Sequence, residues 1–254
     1  MKTRLISRLD IKGSNLIKGI QLEGLRIVGD PNAFAQRYYQ EGVDELLLMD
    51  SVASLYGRNQ LDEIIERITA DIFIPITVGG GLRNLEDCRR ILRSGADKIA
   101  INTAAITSKN LITEIANEFG SQCMVVSIDA KKISESKWDA YTNNGREPTG
   151  IDVVDWASIC EELGAGEILL TSIDREGTRS GFDISLVEMV TNTVNIPVIA
   201  SGGLGNTSHF SELINRTKVD AIAIADAFHY SRVSVKELRE IGLKAGREMR
   251  NINE

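Results

Sequence analysis

Ile74–Leu82 reads IPITVGGGL, and Ile196–Leu204 reads IPVIASGGL. Each is an apolar run opened by an Ile-Pro step and closed by glycines. Such a run is too short for a helix and is bounded as a buried strand would be. From Pro75 to Pro197 the offset is 122 residues. The same offset carries Glu45–Asp50 (ELLLMD) onto Glu167–Thr171 (EILLT), with Asp174 following. Leu9–Lys12 (LDIK) returns as Ile128–Lys131 (IDAK), Asp10 and Asp129 being 119 residues apart. Similarity at a nearly fixed offset is the mark of one duplicated half.

Outward from these runs, short apolar stretches alternate with helical patterns. Strands are predicted at Arg4–Leu9, Glu45–Met49, Ile74–Val78, Lys98–Ile101, Met124–Ile128, Glu167–Ile173, Val198–Ala200 and Ala221–Ala225. Amphipathic stretches fall at Pro31–Glu41, Leu61–Ala70, Leu85–Ser94, Leu111–Phe119, Val153–Leu163, Ser185–Val190 and Val233–Met249. Gly42, Gly95 and Gly164 follow helices where a left-handed residue is wanted. Eight strand–helix units in this length predict an α/β fold, a closed (β/α)8 TIM barrel of two duplicated half-barrels. The whole chain, 1–254, would be one barrel domain, with halves of about 1–120 and 121–254. An open doubly wound sheet is the rival, but no G-x-G-x-x-G follows the first strand. Lys12–Asp30 and Lys131–Asp152 exceed ordinary loops and sit at equivalent places, where loops of a barrel carry function.

The balance of 29 basic and 36 acidic residues gives a net charge of −7, which argues against general nucleic-acid binding. A phosphorylated substrate stays open, since backbone N–H groups and a lysine or two suffice. Cys88, Cys123 and Cys160 read as buried reduced thiols, and no run reaches membrane-spanning length. Without a signal-peptide core, a cytoplasmic protein is expected. His209 and His229 are too few for a histidine-rich metal site.

Asp10 and Asp129 end strands 1 and 5, diametrically opposed in an eight-stranded ring. Two carboxyl groups so placed can divide general-acid and general-base work. The plainer alternative is that each caps a loop or pairs with Lys12 and Lys131. Gly80 and Gly81, with Asn102 and Thr103, form a plausible phosphate cradle in the first half. Glu176, Gly177, Gly202, Gly203, Ala225 and Asp226 offer a second. Two cradles imply an elongated substrate with a phosphate at each end, and Lys18 could close over one of them. Arg4, Glu45, Lys98 and Glu167 begin strands on the opposite face, where they would form a salt-bridged ring. Taken alone, that ring reads as a structural plug.

These residues resemble the cyclase subunit of imidazole glycerol phosphate synthase, of histidine biosynthesis. LDIK, KG, DELLLMD, IPITVGGG, GADKIAINTAA, FGSQ, VVSIDAKK, GAGEILLTSIDREGT, SGFD, IPVIASGGLG and AFHY fall in order along essentially the whole chain. The resemblance implies a glutaminase partner, whose ammonia enters through the barrel bottom. At the catalytic face it would react with a phosphoribulosyl-formimino carboxamide ribonucleotide, giving imidazole glycerol phosphate and an aminoimidazole carboxamide ribonucleotide. Asp10 and Asp129 match the family's catalytic pair. Arg4, Glu45, Lys98 and Glu167 match its ammonia gate, and Asp97 and Gln122 match positions near the glutaminase. No metal or redox cofactor is implied.

The chain departs from the family at three points that bear on substrate, one of them the first long loop, where Leu25-Arg26-Ile27-Val28-Gly29-Asp30-Pro31 stands in place of LRDAGDP or similar, and more mildly at Glu176. Ser7-Arg8-Leu9-Asp10 stands where PCLD is usual, which puts a cation near the mouth or inside the barrel. Asp226 stands where a serine usually lies beside a phosphate. Two charges about 4 Å apart at an effective dielectric near 20 repel by roughly 4 kcal/mol. Glu176 replaces a shorter acid. Such departures resemble a branch found in surface-polysaccharide gene clusters, which supplies ammonia for amidating an acidic sugar with a separate amidotransferase. The isomerase of the histidine pathway shares the repeat and both aspartates, but the bottom charges and FGSQ argue against it.

Overall fold

The computed structural model describes residues 2–51, 53 and 61–250. Strand β1 (Arg4–Lys12) runs into a hairpin of β2 (Asn15–Ile20) and β3 (Glu23–Gly29). Helix α1 (Pro31–Glu41), β4 (Glu45–Asp50), α2 (Asp62–Asp71), β5 (Ile76–Gly79), α3 (Leu85–Arg93) and β6 (Lys98–Ile101) follow. Next come α4 (Thr103–Thr107), α5 (Asn110–Phe119) and β7 (Met124–Ser134), which opens the hairpin of β8 (Lys137–Thr142) and β9 (Glu147–Asp152). The chain continues through α6 (Val153–Glu162), β10 (Glu167–Ser172), α7 (Ile184–Thr193), β11 (Val198–Ser201) and α8 (Thr207–Arg216). It closes with β12 (Ala221–Ile224), α9 (Asp226–His229) and α10 (Val235–Lys244).

The parallel ring runs β1, β4, β5, β6, β7, β10, β11, β12 and returns to β1 through pairs such as Arg4↔Ala221. This is the closed (β/α)8 barrel, not the open sheet. Strands covered on both faces read as continuous apolar runs, which is why they stood out in the sequence. Inward-facing Ile6, Leu47, Ala100, Val125, Leu169, Ile199, Ala221 and Ala223 pack as their own cluster inside the ring. A larger shell lies between barrel and helices. Gly42, Gly95 and Gly164 take φ of 84°, 112° and 102° behind their helices, as expected of left-handed caps.

Strand β5 begins at Ile76, two residues later than expected, because Pro75 has no N–H for the ladder. The two long loops are largely hairpins. β1 and β7 continue past the barrel rim and fold back, Asp10 pairing with Ile17 and Asp129 with Tyr141. The second hairpin turns through Asn143, Asn144 and Gly145, all at positive φ. It is pinned by fully buried Trp138, whose indole N–H donates to Asp183 at 2.8 Å. All three cysteines are buried and free. Among the described residues no helix is long and apolar enough to cross a membrane.

Candidate functional site

The bottom of the barrel is closed by four charges that begin alternate inward positions. Arg4 bonds Glu45 at 2.5 Å and also Glu167, while Lys98 Nζ lies 3.1 Å from each of the same two carboxylates. Cation and anion alternate, so the ring carries no net charge. Burial opposes the Arg4 charge, but the flanking Glu167 and Glu45 outweigh it and raise its pKa. Immediately above lies the apolar cluster, and above that the mouth.

At the mouth, β1 and β7 stand on opposite sides of the ring and present Asp10 and Asp129. Both carboxyl groups are buried, at 5% and 6% exposure. Their surroundings differ. Asp10 accepts from Arg8 Nε at 2.9 Å and from Lys18 Nζ at 3.4 Å. Burial alone would raise its pKa, but the Arg8 guanidinium and the Lys18 ammonium reverse this and hold it at about 2. Asp129 accepts from the side-chain amide of Asn102 at 3.0 Å. Here burial wins over Arg8 and Asn102, and the carboxyl is pushed up to about 6. Neither aspartate pairs with Lys12 or Lys131 among the described residues.

A cavity of about 270 Å3 opens beside Asp129 over Gly80, Gly81, Asn102 and Thr103. Gly80 is required there: at φ 95° a Cβ would lie 2.2 Å from the Asp50 carbonyl oxygen. Thr103 accepts the Asn143 backbone N–H at 3.0 Å, tying this side to the second hairpin.

The second cradle differs from expectation. The recess bounded by Glu176, Gly177, Gly202, Gly203, Ala225 and Asp226 measures about 20 Å3, room for roughly one water. Asp226 meets Arg179 through two bonds, at 2.7 and 3.0 Å, and lies 3.4 Å from Arg232. These are its cation partners rather than Arg8, which turns to Asp10. Lys18 is also placed differently from a residue waiting to close. It is buried, paired to Glu176 and close to Asp10, and those carboxylates raise its pKa against the cost of burial. With Gly24, Arg26, Arg179 and Tyr230 it also lines a wider depression above.

His229 is buried behind this side and shares a 2.6 Å hydrogen bond with Tyr38. Burial and nearby Lys18 hold it neutral, with a pKa pushed down to about 4. His209 accepts the Gly205 N–H at 3.2 Å, a local structural bond. At the bottom, Asp97 accepts from the Ile76 N–H at 2.8 Å and lines a shallow recess with Phe73, which is 79% exposed. Gln122 is exposed, its amide donating to the Phe119 carbonyl. No group of three potential metal-ligating side chains occurs among the described residues. Sequence reasoning missed Arg179, Arg232, Thr171 and Ser201 as partners of site residues, because such pairings join distant strands and leave no local pattern.

Residues 4–234 match a family model described as histidine biosynthesis protein. A relative from Legionella pneumophila, imidazole glycerol phosphate synthase subunit HisF, is 61% identical over 208 residues, 82% of this chain and 98% of the relative. A subunit HisF from Bacillus cereus strain AH187 is 44% identical over 250 residues, 98% of this chain and 96% of the relative. Another, from strain G9842, is 46% identical over 236 residues, covering 93% and 94%.

Proposed function

The chain belongs to the histidine biosynthesis protein family as a HisF-type cyclase subunit of imidazole glycerol phosphate synthase, and we propose that Asp10 and Asp129 carry its chemistry as base and acid. The observation behind the assignment is their unlike surroundings on opposite sides of one mouth: Arg8 and Lys18 bond Asp10 and hold its carboxyl low, while Asp129 meets the neutral Asn102 amide and burial raises it. Separated values of this kind are how two carboxyl groups take different roles.

In this reading neutral ammonia arrives at the mouth and adds to the ketose carbonyl of the formimino ribonucleotide. Asp129, protonated, donates to the developing hydroxyl, and water leaves as the imine forms. Asp10, ionised, takes a proton from the attacking nitrogen as the imidazole ring closes and the carboxamide ribonucleotide departs. The open cavity over Gly80, Gly81, Asn102 and Thr103 receives one phosphate. The other approaches the recess at Gly177, Gly202, Gly203 and Ala225, where it must displace Asp226 from Arg179.

A glutaminase is the proposed source of ammonia. It would dock at the bottom face around Phe73, Asp97 and Gln122. Ammonia would pass the ring of Arg4, Glu45, Lys98 and Glu167 and the apolar cluster above it. A ring without net charge favours a neutral molecule over ammonium, which would have to shed its water among apolar side chains. The test is turnover by the purified chain with the formimino ribonucleotide and an ammonium salt. Product should appear with the native chain and be lost in Asp10→Asn and in Asp129→Asn. Full turnover in either folded variant would sink the paired-carboxylate reading.

A further inference from the structure

We propose that Arg8 is a positioning residue which assigns the two aspartates their unlike roles, by ion-pairing with Asp10 and leaving Asp129 to a neutral amide. The inference rests on the reading of Asp10 and Asp129 as the reacting pair and goes on to what makes them differ. Arg8 is 3% exposed and reaches across the barrel from β1. Its Nε donates to Asp10 at 2.9 Å. Its terminal nitrogen donates to the Thr171 hydroxyl on β10 at 3.1 Å and to the Ser201 hydroxyl on β11 at 3.2 Å. Those strands lie beyond β12, whose inward residues Ala221 and Ala223 are small and leave room for the side chain.

The duplication supplies an internal comparison. Two residues before Asp10 stands Arg8; two residues before Asp129 stands Ser127, which lines the same cavity. The 122-residue offset maps Thr171 and Ser201 onto Met49 and Gly79, neither of which offers a hydroxyl. The cation is therefore present in one half only, and the groups that receive it are present only in the other. A guanidinium that served only to fill space would need no such matched pair of acceptors. Three bonds to a rigid fork instead fix its plane, and with it the oxygen of Asp10 that it covers.

The charged and titratable groups around Asp10 are Arg8 on its own strand, Lys18 on β2 and the neutral His229 on α9, with Asp129 on β7 and Glu176 after β10 facing Arg8. Lys18 is shared with Glu176, which leaves Arg8 as the closer and better oriented cation on Asp10. Arg8 also lowers Asp129 through space, so its removal moves both carboxyl groups upward.

The experiment is the pH dependence of ammonia-driven turnover by the full chain, with rates divided by the concentration of un-ionised ammonia at each pH. The native chain should show no acid limb above about pH 5, and a fall above about pH 6 as Asp129 loses its proton. In Arg8→Met an acid limb should enter the measured range and the alkaline fall should move up by at least about one pH unit. Arg8→Lys keeps a cation beside Asp10 without the fork's bonds to Thr171 and Ser201, so it should move both limbs back toward their native positions while the rate stays below native. Unmoved limbs in a folded Arg8→Met, whether its rate is lowered or not, would overturn the proposal. Carbon-13 titration of the labelled carboxyl groups provides the same comparison if that variant turns over too slowly, with the Asp10 signal expected to titrate higher. If Asp129→Asn retained full turnover, the paired-carboxylate reading would fail independently of Arg8.

Discussion

Replacing each aspartate by its isosteric amide should move the stability of the fold in opposite directions at neutral pH. Asp10 falls from an ordinary value of 3.8 to about 2 on folding. At 1.36 kcal/mol per pH unit, its ionised form contributes roughly 2–3 kcal/mol. That contribution is present above 3.8 and is lost as pH falls through about 2. Asp129 rises from 3.8 to about 6. Its stability is full below 3.8 and is lost as pH rises through about 6, so the ionised group costs about 3 kcal/mol at neutral pH. Asp10→Asn should therefore weaken the fold at about pH 7, more so because Arg8 loses its bonded carboxylate. Asp129→Asn should strengthen it. For a chain of this size the thermal midpoints would separate from the native value by about 5–10 °C, one down and one up. Near pH 4 the gain in Asp129→Asn should almost vanish while the deficit in Asp10→Asn persists. Urea and thermal unfolding of the three full-length proteins at both pH values measure this. Shifts of the same sign at neutral pH would refute the account of how Arg8, Lys18 and burial divide the two carboxyl groups.

Asp226→Ser should lower KM for the doubly phosphorylated nucleotide about tenfold, equivalent to 1.4 kcal/mol, with kcat little changed. Up to roughly 4 kcal/mol of repulsion between like charges is relieved, and the phosphate no longer has to break a pair with half-exposed Arg179 worth about 0–1 kcal/mol. An unchanged KM would mean that Asp226 already stands clear of the phosphate. Lys98→Met leaves Glu45 and Glu167 with Arg4 alone, and should reduce glutamine-driven turnover in the glutaminase complex more than turnover with free ammonium; equal losses would argue against a gate. Gly203→Ala sets a Cβ 2.1 Å from the Gly181 carbonyl oxygen at φ 107°, and should cost more than about 1 kcal/mol in urea unfolding.

The barrel was legible because its strands are buried on both faces and the repeat counted them in two sets of four. The bottom ring was legible for a related reason: charges at Arg4, Glu45, Lys98 and Glu167 interrupt apolar strand starts, where nothing but mutual pairing can satisfy them. The hairpins were not read as strands. Their outer strands, β3 and β9, are largely exposed, the buried Leu16, Ile17, Trp138 and Ala140 of β2 and β8 are too few for a clear alternation, and the strongest local signal is the single Asn144-Gly145 step. The unequal cradles were half legible. Asp226 marked the departure, but its partners Arg179 and Arg232 come from a β10 loop and the far side of α9, and only the folded chain brings them together. Arg8 announced a buried cation without saying which aspartate it would choose.

β1 and β7 run on past the rim before turning back, which sets Asp10 and Asp129 within backbone ladders rather than in loops. Asp10 lies between Ile17 and Met49, and Asp129 between Tyr141 and Thr171. Amide hydrogens flanking both residues should thus exchange with solvent as slowly as those of the barrel core, while the turns at Gly13 and Glu135 exchange early. The two carboxyl groups proposed to react would then be mounted on the part of the molecule that opens last. Lys18, carried over the mouth by β2 and held to Glu176 and Asp10, is tied to the same slow part, so whatever mobility substrate entry demands falls to the turns beyond it.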